Sequence, residues 1–239
     1  MAYCDNGKSI RRILPAAILL FIIQGCGPKA MQINTANRAQ VRENAVYGIH
    51  YSPPAFIPMT AGKAMTAASF GLIGGAITEA ALEKKGKRMV AEYQMKDPAQ
   101  RVKSIFLNDL SSNGSITAYQ PLGYEYKSDD MEYLKLGFNQ GYVVDFKTLH
   151  WGFIYYGTDW NRYHMRYGLR ARIVEFPAAE ILWQGVCEIV EDEPPEQRPS
   201  LDELNADNGA EIKRRLDKAA DVCSKQLAEQ YAQSKKLSG

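Results

Sequence analysis

Residues 163–176 alternate between apolar and polar side chains, and this alternation restricts the fold more than any other feature of the sequence. One face would carry large apolar residues, and the other would carry His164, Arg166, Arg170 and Arg172. Successive side chains of a β-strand point to opposite faces, so the pattern predicts a strand with one face in a core. A chain that contains such a strand must build its core on a sheet.

This strand is followed by a turn and by a second predicted strand over residues 181–190, and together they indicate a β-hairpin. We expect Ile173 to pair with Trp183, because both lie on the apolar faces of their strands. With that register, Leu169 lies opposite Cys187. The side chain of Cys187 therefore points into the predicted core.

Further segments carry the signals of regular structure. They are a strand over residues 44–51, a helix that begins at Asp97-Pro98, a series of strands from Ile116 with a change of phase near Thr148, and a long helix after Ser200. The change of phase indicates a β-bulge. The order of elements predicts an α+β fold, in which a mostly antiparallel sheet has helices packed on one face, within a single domain over residues 43–239.

Residues 1–25 have the three parts of a secretory signal peptide. Lys8, Arg11 and Arg12 form a positive start, and residues 13–23 form an apolar run of about 11 residues, whereas a membrane-spanning helix needs about 20. This segment carries three of the 29 basic residues and one of the 27 acidic residues, so 26 of each would remain after its removal. The processed chain would be neutral, and we expect no nucleic-acid partner.

The sequence Ile23-Gln24-Gly25-Cys26 at the end of the apolar run resembles the lipobox of bacterial lipoproteins. The resemblance implies that Cys26 is acylated and becomes the new N-terminus, which anchors the protein to a membrane. Gly27, rather than Asp, implies the outer membrane. Residues 26–42 are polar and lack periodicity, which predicts a flexible tether with a reach of roughly 20 Å. The alternative is a simple signal peptide with a free thiol at Cys26.

Cys187 and Cys223 are the two cysteines that would remain after removal of the leader and acylation of Cys26. Cys223 lies on the apolar stripe of the C-terminal helix, so both thiols should face the same core. An exported protein meets an oxidising compartment, which favours a disulfide between them. Two buried free thiols are the alternative.

Residues 64–82 are rich in Ala and Gly, and Ala67, Gly71 and Gly75 recur every four residues. On a helix these three residues would form one nearly flat side, which allows close packing against another surface. We interpret the segment as a buried or docking helix, with these three residues as a candidate docking face. Insertion into a membrane is the alternative.

Two groups of side chains suggest ligand binding. The candidate residues are Trp151, Tyr155 and Trp160, which could stack on sugar rings, and Arg166, Arg170 and Arg172, which could meet anionic head groups. Aromatic residues also pack well in strands and at membrane interfaces. The alternatives are core packing for the aromatic group and a solvated sheet face, partly neutralised by Glu188, for the basic group.

No catalytic motif is recognisable, and His50, His150 and His164 lack the spacing of metal ligands. We therefore expect no cofactor, no metal and no enzymatic activity. The plan loosely resembles the small periplasmic α/β lipoprotein domains that assist envelope assembly, such as the curli-secretion and penicillin-binding-protein-activator types. That resemblance implies a non-enzymatic envelope scaffold or assembly factor that contacts other envelope proteins. A glycan- or lipid-binding envelope module is the alternative.

Overall fold

A mixed sheet with helices on both faces forms the described part of the computed structural model, residues 28–60 and 79–233. The strands are β1 Val46–Tyr51, β2 Ile57–Met59, β3 Tyr119–Tyr126, β4 Gly141–Tyr156, β5 Asp159–Phe176 and β6 Glu180–Val190. The helices are α1 Thr35–Glu43, α2 over residues 79–92, α3 Pro98–Ser112, α4 Met131–Lys135 and α5 Leu201–Gln233, with a short 3₁₀ turn at Pro195–Gln197. The α+β class is confirmed.

The sheet is mixed rather than purely antiparallel, and its two longest ladders are antiparallel. Its order is β3-β1-β4-β5-β6, and β2 pairs with β4 beyond the end of β1. The pairs β4–β5 and β5–β6 are antiparallel, but β1 is parallel to both β3 and β4, and β2 is parallel to β4. Parallel neighbours need a long crossover connection, and α3 lies within the one between β1 and β3. The short-range patterns of the sequence do not reveal such a pairing.

The predicted hairpin is confirmed in its register. Ile173 pairs with Trp183, and Leu169 pairs with Cys187. The β4–β5 ladder shifts register between Thr148 and His150, which is the bulge expected from the change of phase. These features could be predicted because each depends on neighbouring strands of one meander.

Both predicted helix starts are confirmed, but α5 contains a break that the sequence analysis missed. Ser200 and Glu203 form a reciprocal capping box at the start of α5. Asp207, Asn208 and Gly209 then take φ values of 49°, 54° and 67°. These residue types tolerate left-handed backbone best. At Gly209 a Cβ atom would also lie 2.5 Å from the Tyr93 ring, so the break allows close packing there.

The larger core lies between the sheet and the helices α3 and α5. The rings of Phe106 and Trp183 stack with centroids 5.6 Å apart, and Tyr231 of α5 packs edge-on against both. The predicted disulfide joins Cys187 of β6 to Cys223 of α5 within this core. The helix layer is therefore attached covalently to the edge of the sheet.

A second, smaller core covers part of the opposite face, which corrects the expectation of helices on one face only. Leu134 of α4 and the nearby Phe138 are buried against Tyr51, Val143 and Phe176. Asp130 starts α4 by accepting hydrogen bonds from two backbone N–H groups of its first turn. Five residues of helix are enough here because burial of Leu134, and not helix propensity, stabilises the turn.

The described part of the predicted tether is docked on the folded domain. Met31 and Gln184 exchange two backbone hydrogen bonds, with N–O distances of 2.8 and 3.0 Å. Ile33 is buried in the main core, and the Arg38 guanidinium lies over the Tyr231 ring at 4.0 Å. Burial of these side chains offsets the entropy lost on ordering a polar segment. We call residues 29–43, which include α1, the N-terminal clamp.

Candidate functional site

The basic face of β5 is mostly an internal ion network. Arg172 donates to both carboxylate oxygens of Asp145, at 3.2 Å from Nε to Oδ1 and 2.6 Å from Nη2 to Oδ2. Asp145 is 0% exposed, and the Tyr51 hydroxyl donates a further hydrogen bond to it at 2.9 Å. Arg172 is therefore not available to a ligand in this structure, contrary to expectation.

Asp129, from the loop before α4, completes the ion network on the same face. It accepts hydrogen bonds from Arg170 at 2.9 Å and from Lys147 at 2.7 Å. Burial alone would raise the pKa of the Asp129 carboxyl, but these two cationic donors lower it to about 2. Arg170 is thus buried and paired, and is neither a free ligand-binding group nor part of a solvated face. Of the three predicted arginines, Arg166 remains half-exposed, 3.6 Å from Glu188.

The aromatic group separates into core and surface residues. Trp151 is buried, donates its indole N–H to the carbonyl of Pro54 at 2.7 Å, and packs edge-on against Phe56. Tyr155 is partly buried against the main core. Trp160 is 54% exposed near the β4–β5 turn. Core packing therefore accounts for Trp151 and Tyr155, and Trp160 alone of the three is free to stack on a ligand.

A shallow groove of about 270 Å³ remains beside β2. Its apolar lining includes Ile57, Met59 and Ile154, and its polar lining is His150 and Arg166. Gly152 is required in the floor, because a Cβ atom there would lie 2.2 Å from the carbonyl oxygen of Ile57. Glu188 accepts a hydrogen bond from His150 Nε2 at 2.8 Å and holds that ring at the groove.

The groove has the chemistry of a binding site for an amphiphile. Its apolar strip could hold a hydrocarbon or the flat face of a ring, and Arg166 could pair with an anionic group. Among the described residues that line it, none supplies a hydroxyl, thiol or amine nucleophile. The alternation along β5 predicts Arg166 as a candidate binding residue, but β2 and its apolar residues carry no recognisable signal in the sequence.

A buried polar cluster under α3 was also missed by the sequence analysis. His50 Nδ1 lies 3.0 Å from the ammonium of Lys103, which also donates to the carbonyl of Leu122 at 2.7 Å. Nearby on the same face, Asp97 Oδ1 accepts a hydrogen bond from the Thr148 hydroxyl at 2.6 Å. His50 Nε2 and Asp97 Oδ2 are buried and have no hydrogen-bond partner among residues 28–60 and 79–233. Burial shifts the pKa values of these two groups in opposite directions, downward for His50 and upward for Asp97.

We expect Asp97→Asn to raise the free energy of unfolding by about 2 kcal/mol at pH 7.5, and to lose this advantage as the pH falls towards 4. Burial raises the pKa of Asp97 to about 6, so the folded state holds a proton that the unfolded state releases. The stabilisation that this bound proton provides is fully present below pH 4 and is lost as the pH rises through 6. Asparagine keeps an acceptor for Thr148 without the charge. Urea denaturation from pH 4 to 7.5 measures the difference from wild type.

His50→Gln is the matched variant, with the opposite sign. Burial and the charge of Lys103 lower the pKa of His50 to about 4, so wild-type stability falls as the pH drops from 6.5 to 4. The free energy of unfolding of His50→Gln should therefore rise relative to that of wild type as the pH falls from 6.5 to 4. For either variant, a difference from wild type in the free energy of unfolding that does not change with pH would contradict the pKa shift given above.

Some predicted site residues lie outside the described ranges. They are the acylation site Cys26 and the candidate docking face Ala67, Gly71 and Gly75. Within residues 28–60 and 79–233, no helix is long and apolar enough to cross a membrane. The same ranges contain no group of three or more His, Cys, Asp or Glu side chains that could hold a metal ion.

These features define an α+β domain with a mixed sheet, a disulfide-linked helix layer and an amphiphilic groove. No model of a known protein family matches the chain, and no curated protein sequence matches it. Among solved structures, it is similar to the PelC dodecamer from Paraburkholderia phytofirmans, at 10% identity over 80% of this chain and 93% of that chain, with a TM-score of 0.31. It is also similar to protein XCC0632 from Xanthomonas campestris, at 11% identity over 87% and 97%, with a TM-score of 0.37.

Proposed function

We propose that the chain is an exported lipoprotein of the outer membrane, cleaved before Cys26 and acylated on it. The observation that carries the proposal is the motif Ile23-Gln24-Gly25-Cys26 directly after a short apolar run. The disulfide between Cys187 and Cys223 supports it, because it pairs the two cysteines that would remain after processing. Disulfides persist in oxidising compartments such as the periplasm. Gly27 favours the outer over the inner membrane.

Mass spectrometry of the purified native protein tests the anchor. The N-terminal peptide should begin at Cys26 and carry a diacylglyceryl group, and alkyne-palmitate fed to the cells should label the protein. Cys26→Ser keeps the leader and removes the thiol, so this variant should not be labelled. A free thiol at Cys26, or an uncleaved leader in the wild-type protein, would refute the proposal.

The role that we propose for the anchored domain is that of a non-enzymatic scaffold or assembly factor that binds other envelope proteins. Exposed apolar side chains support a contact role, since they are candidates for burial in an interface. Leu136 is 86% exposed, Tyr124 is 60% exposed and Tyr133 is 40% exposed. The small-residue face at Ala67, Gly71 and Gly75 is the second candidate contact surface.

The double variant Gly71→Leu and Gly75→Leu tests the small-residue face. Crosslinking in intact cells, followed by quantitative mass spectrometry, should show a partner set that the variant loses at least several-fold. Gly157→Leu is the matched control, because it lies in the β4–β5 turn, away from the exposed Tyr124, and a Cβ atom there would meet nothing within 4 Å. Both proteins should melt at the wild-type temperature. Equal partner recovery from both variants would count against this face.

A ligand-binding module is the second candidate, and the groove beside β2 is the observation that favours it. Titration of the purified protein with peptidoglycan fragments or lipopolysaccharide should change its tryptophan fluorescence to saturation, because Trp151 lies at the groove. Arg166→Ala should weaken binding of an anionic ligand by about tenfold, the loss of one charge-assisted contact. Arg88→Ala, an exposed arginine of α2, should bind as wild type. A flat titration removes this candidate.

A further inference from the structure

The N-terminal clamp attaches the start of the described chain to the outer edge of the sheet. Lys29 accepts a hydrogen bond at its carbonyl from the Gln184 side chain at 2.5 Å, next to the backbone pair of Met31 and Gln184. Arg38 donates to the carbonyl of Tyr231 in α5 at 2.5 Å. The clamp therefore contacts both the edge strand β6 and the helix layer. Its orientation relative to the sheet is defined by several separate contacts.

The same edge of β6 receives a second cover from the helix layer. The Gln230 side chain accepts from the backbone N–H of Val186 at 3.1 Å and donates to its carbonyl at 2.8 Å. Gln184 and Val186 thus have their outward backbone groups satisfied within the chain. Unpaired edge strands invite association with other strands, and this edge is partly blocked against it. This edge is therefore poorly suited to pair with a strand of another protein, but it can still lie against a surface that forms no backbone hydrogen bonds.

The lipid would be attached very close to this edge. Lys29 is the third residue after Cys26, and a chain spans at most about 3.6 Å per residue, so the two Cα atoms lie within about 11 Å of each other. Neighbouring strands are about 4.8 Å apart, so β3, four strands from β6, lies about 19 Å farther across the sheet. If the chain were flexible as far as residue 42, the lipid could lie near either edge of the sheet.

We propose that the N-terminal clamp holds the protein on the bilayer by the β6 edge of its sheet, with the β3 edge turned away from the membrane. This orientation rests on the acylation of Cys26 proposed above. The partner is the lipid surface itself. The β3 edge, with Tyr124 and the nearby Leu136, then points away from the membrane, where it is accessible to other envelope proteins.

Short-range quenching on vesicles tests the orientation. The processed protein would have no free thiol, so single variants Glu180→Cys, at the start of β6, and Gln120→Cys, on β3, can each carry one thiol-reactive dye. The acylated full-length products are placed on vesicles of phosphatidylethanolamine and phosphatidylglycerol with spin-labelled head groups. Quenching of the dye at residue 180 should exceed that at residue 120 at least several-fold.

A control that leaves the folded domain unchanged isolates the clamp. Insertion of a Gly/Ser linker of about 12 residues between Gly27 and Pro28 adds a reach of roughly 20 Å, so the difference in quenching should largely disappear. Flotation of the protein with the vesicles is measured first. Failure to float overturns the lipid anchor and the orientation with it. Flotation with equal quenching at the two sites, or with stronger quenching at residue 120, overturns the orientation and leaves the anchor standing.

Discussion

Asp145→Ala is expected to lower the free energy of unfolding by about 3–5 kcal/mol, because it leaves a buried guanidinium without its counter-charge. Asp145 is fully buried and accepts from Arg172 and from the Tyr51 hydroxyl. Arg172 is itself buried and also donates to the carbonyl of Asp129 in the loop before α4, so water cannot replace the lost carboxylate. Urea denaturation of the variant and wild type at pH 7.5 measures the difference.

Two further variants distinguish the effect of losing the charge from the effect of losing side-chain volume. Tyr51→Phe removes one hydrogen bond to the same carboxylate and should cost only about 1 kcal/mol. The double variant Asp145→Leu and Arg172→Met removes both charges and keeps most of the volume, so it should be more stable than Asp145→Ala alone. If Asp145→Ala costs less than about 1 kcal/mol, or the double variant is the least stable of the three, the pair is not the buried ionic contact described above.

Removal of the disulfide by Cys187→Ala with Cys223→Ala is expected to cost about 3–4 kcal/mol in the free energy of unfolding. The bond joins residues 36 apart in sequence, and closing a loop of that length restricts the unfolded chain considerably. Both sulfur atoms also lie in the main core, so their loss adds a small packing defect. The double variant should therefore unfold at a clearly lower urea concentration.

The reduced wild-type protein is the natural comparison for the disulfide. With dithiothreitol present, wild-type stability should fall towards that of the double alanine variant, because the same loop is then open. Cys26→Ser should unfold as wild type under both conditions, since residue 26 is not part of this loop. Wild-type stability that does not change on complete reduction would contradict the predicted contribution of the bond.

The hairpin and its disulfide could be predicted because their signals are local. The alternation along β5 and β6 sets which faces are apolar, and the pairing of Ile173 with Trp183 then defines the whole register. The apolar stripe of α5 places Cys223 on the same core as Cys187. Each step uses residues of one strand, one turn or one helix, so no long-range information was needed.

The environment of the arginines could not be predicted in the same way. Glu188 was the visible partner because it lies on the neighbouring strand of the hairpin, and it contacts Arg166 as its position implies. Arg170 and Arg172 instead pair with Asp129 and Asp145, which are 41 and 27 residues distant. Whether an alternating polar face is solvated or buried depends on which segment covers it, and periodicity does not contain that information.

The amino-acid sequence by itself determined the strands of the meander, the helix starts, the bulge and the pairing of the cysteines, because short-range periodicity and capping chemistry specify them. Only the tertiary structure decided that β1 and β2 enter the sheet in parallel, that residues 29–43 are docked, and that Arg170 and Arg172 are internal. These outcomes depend on contacts between segments far apart in the chain. The free energy that stabilises them comes from surfaces that different segments bury against each other, so no single segment of the sequence specifies it.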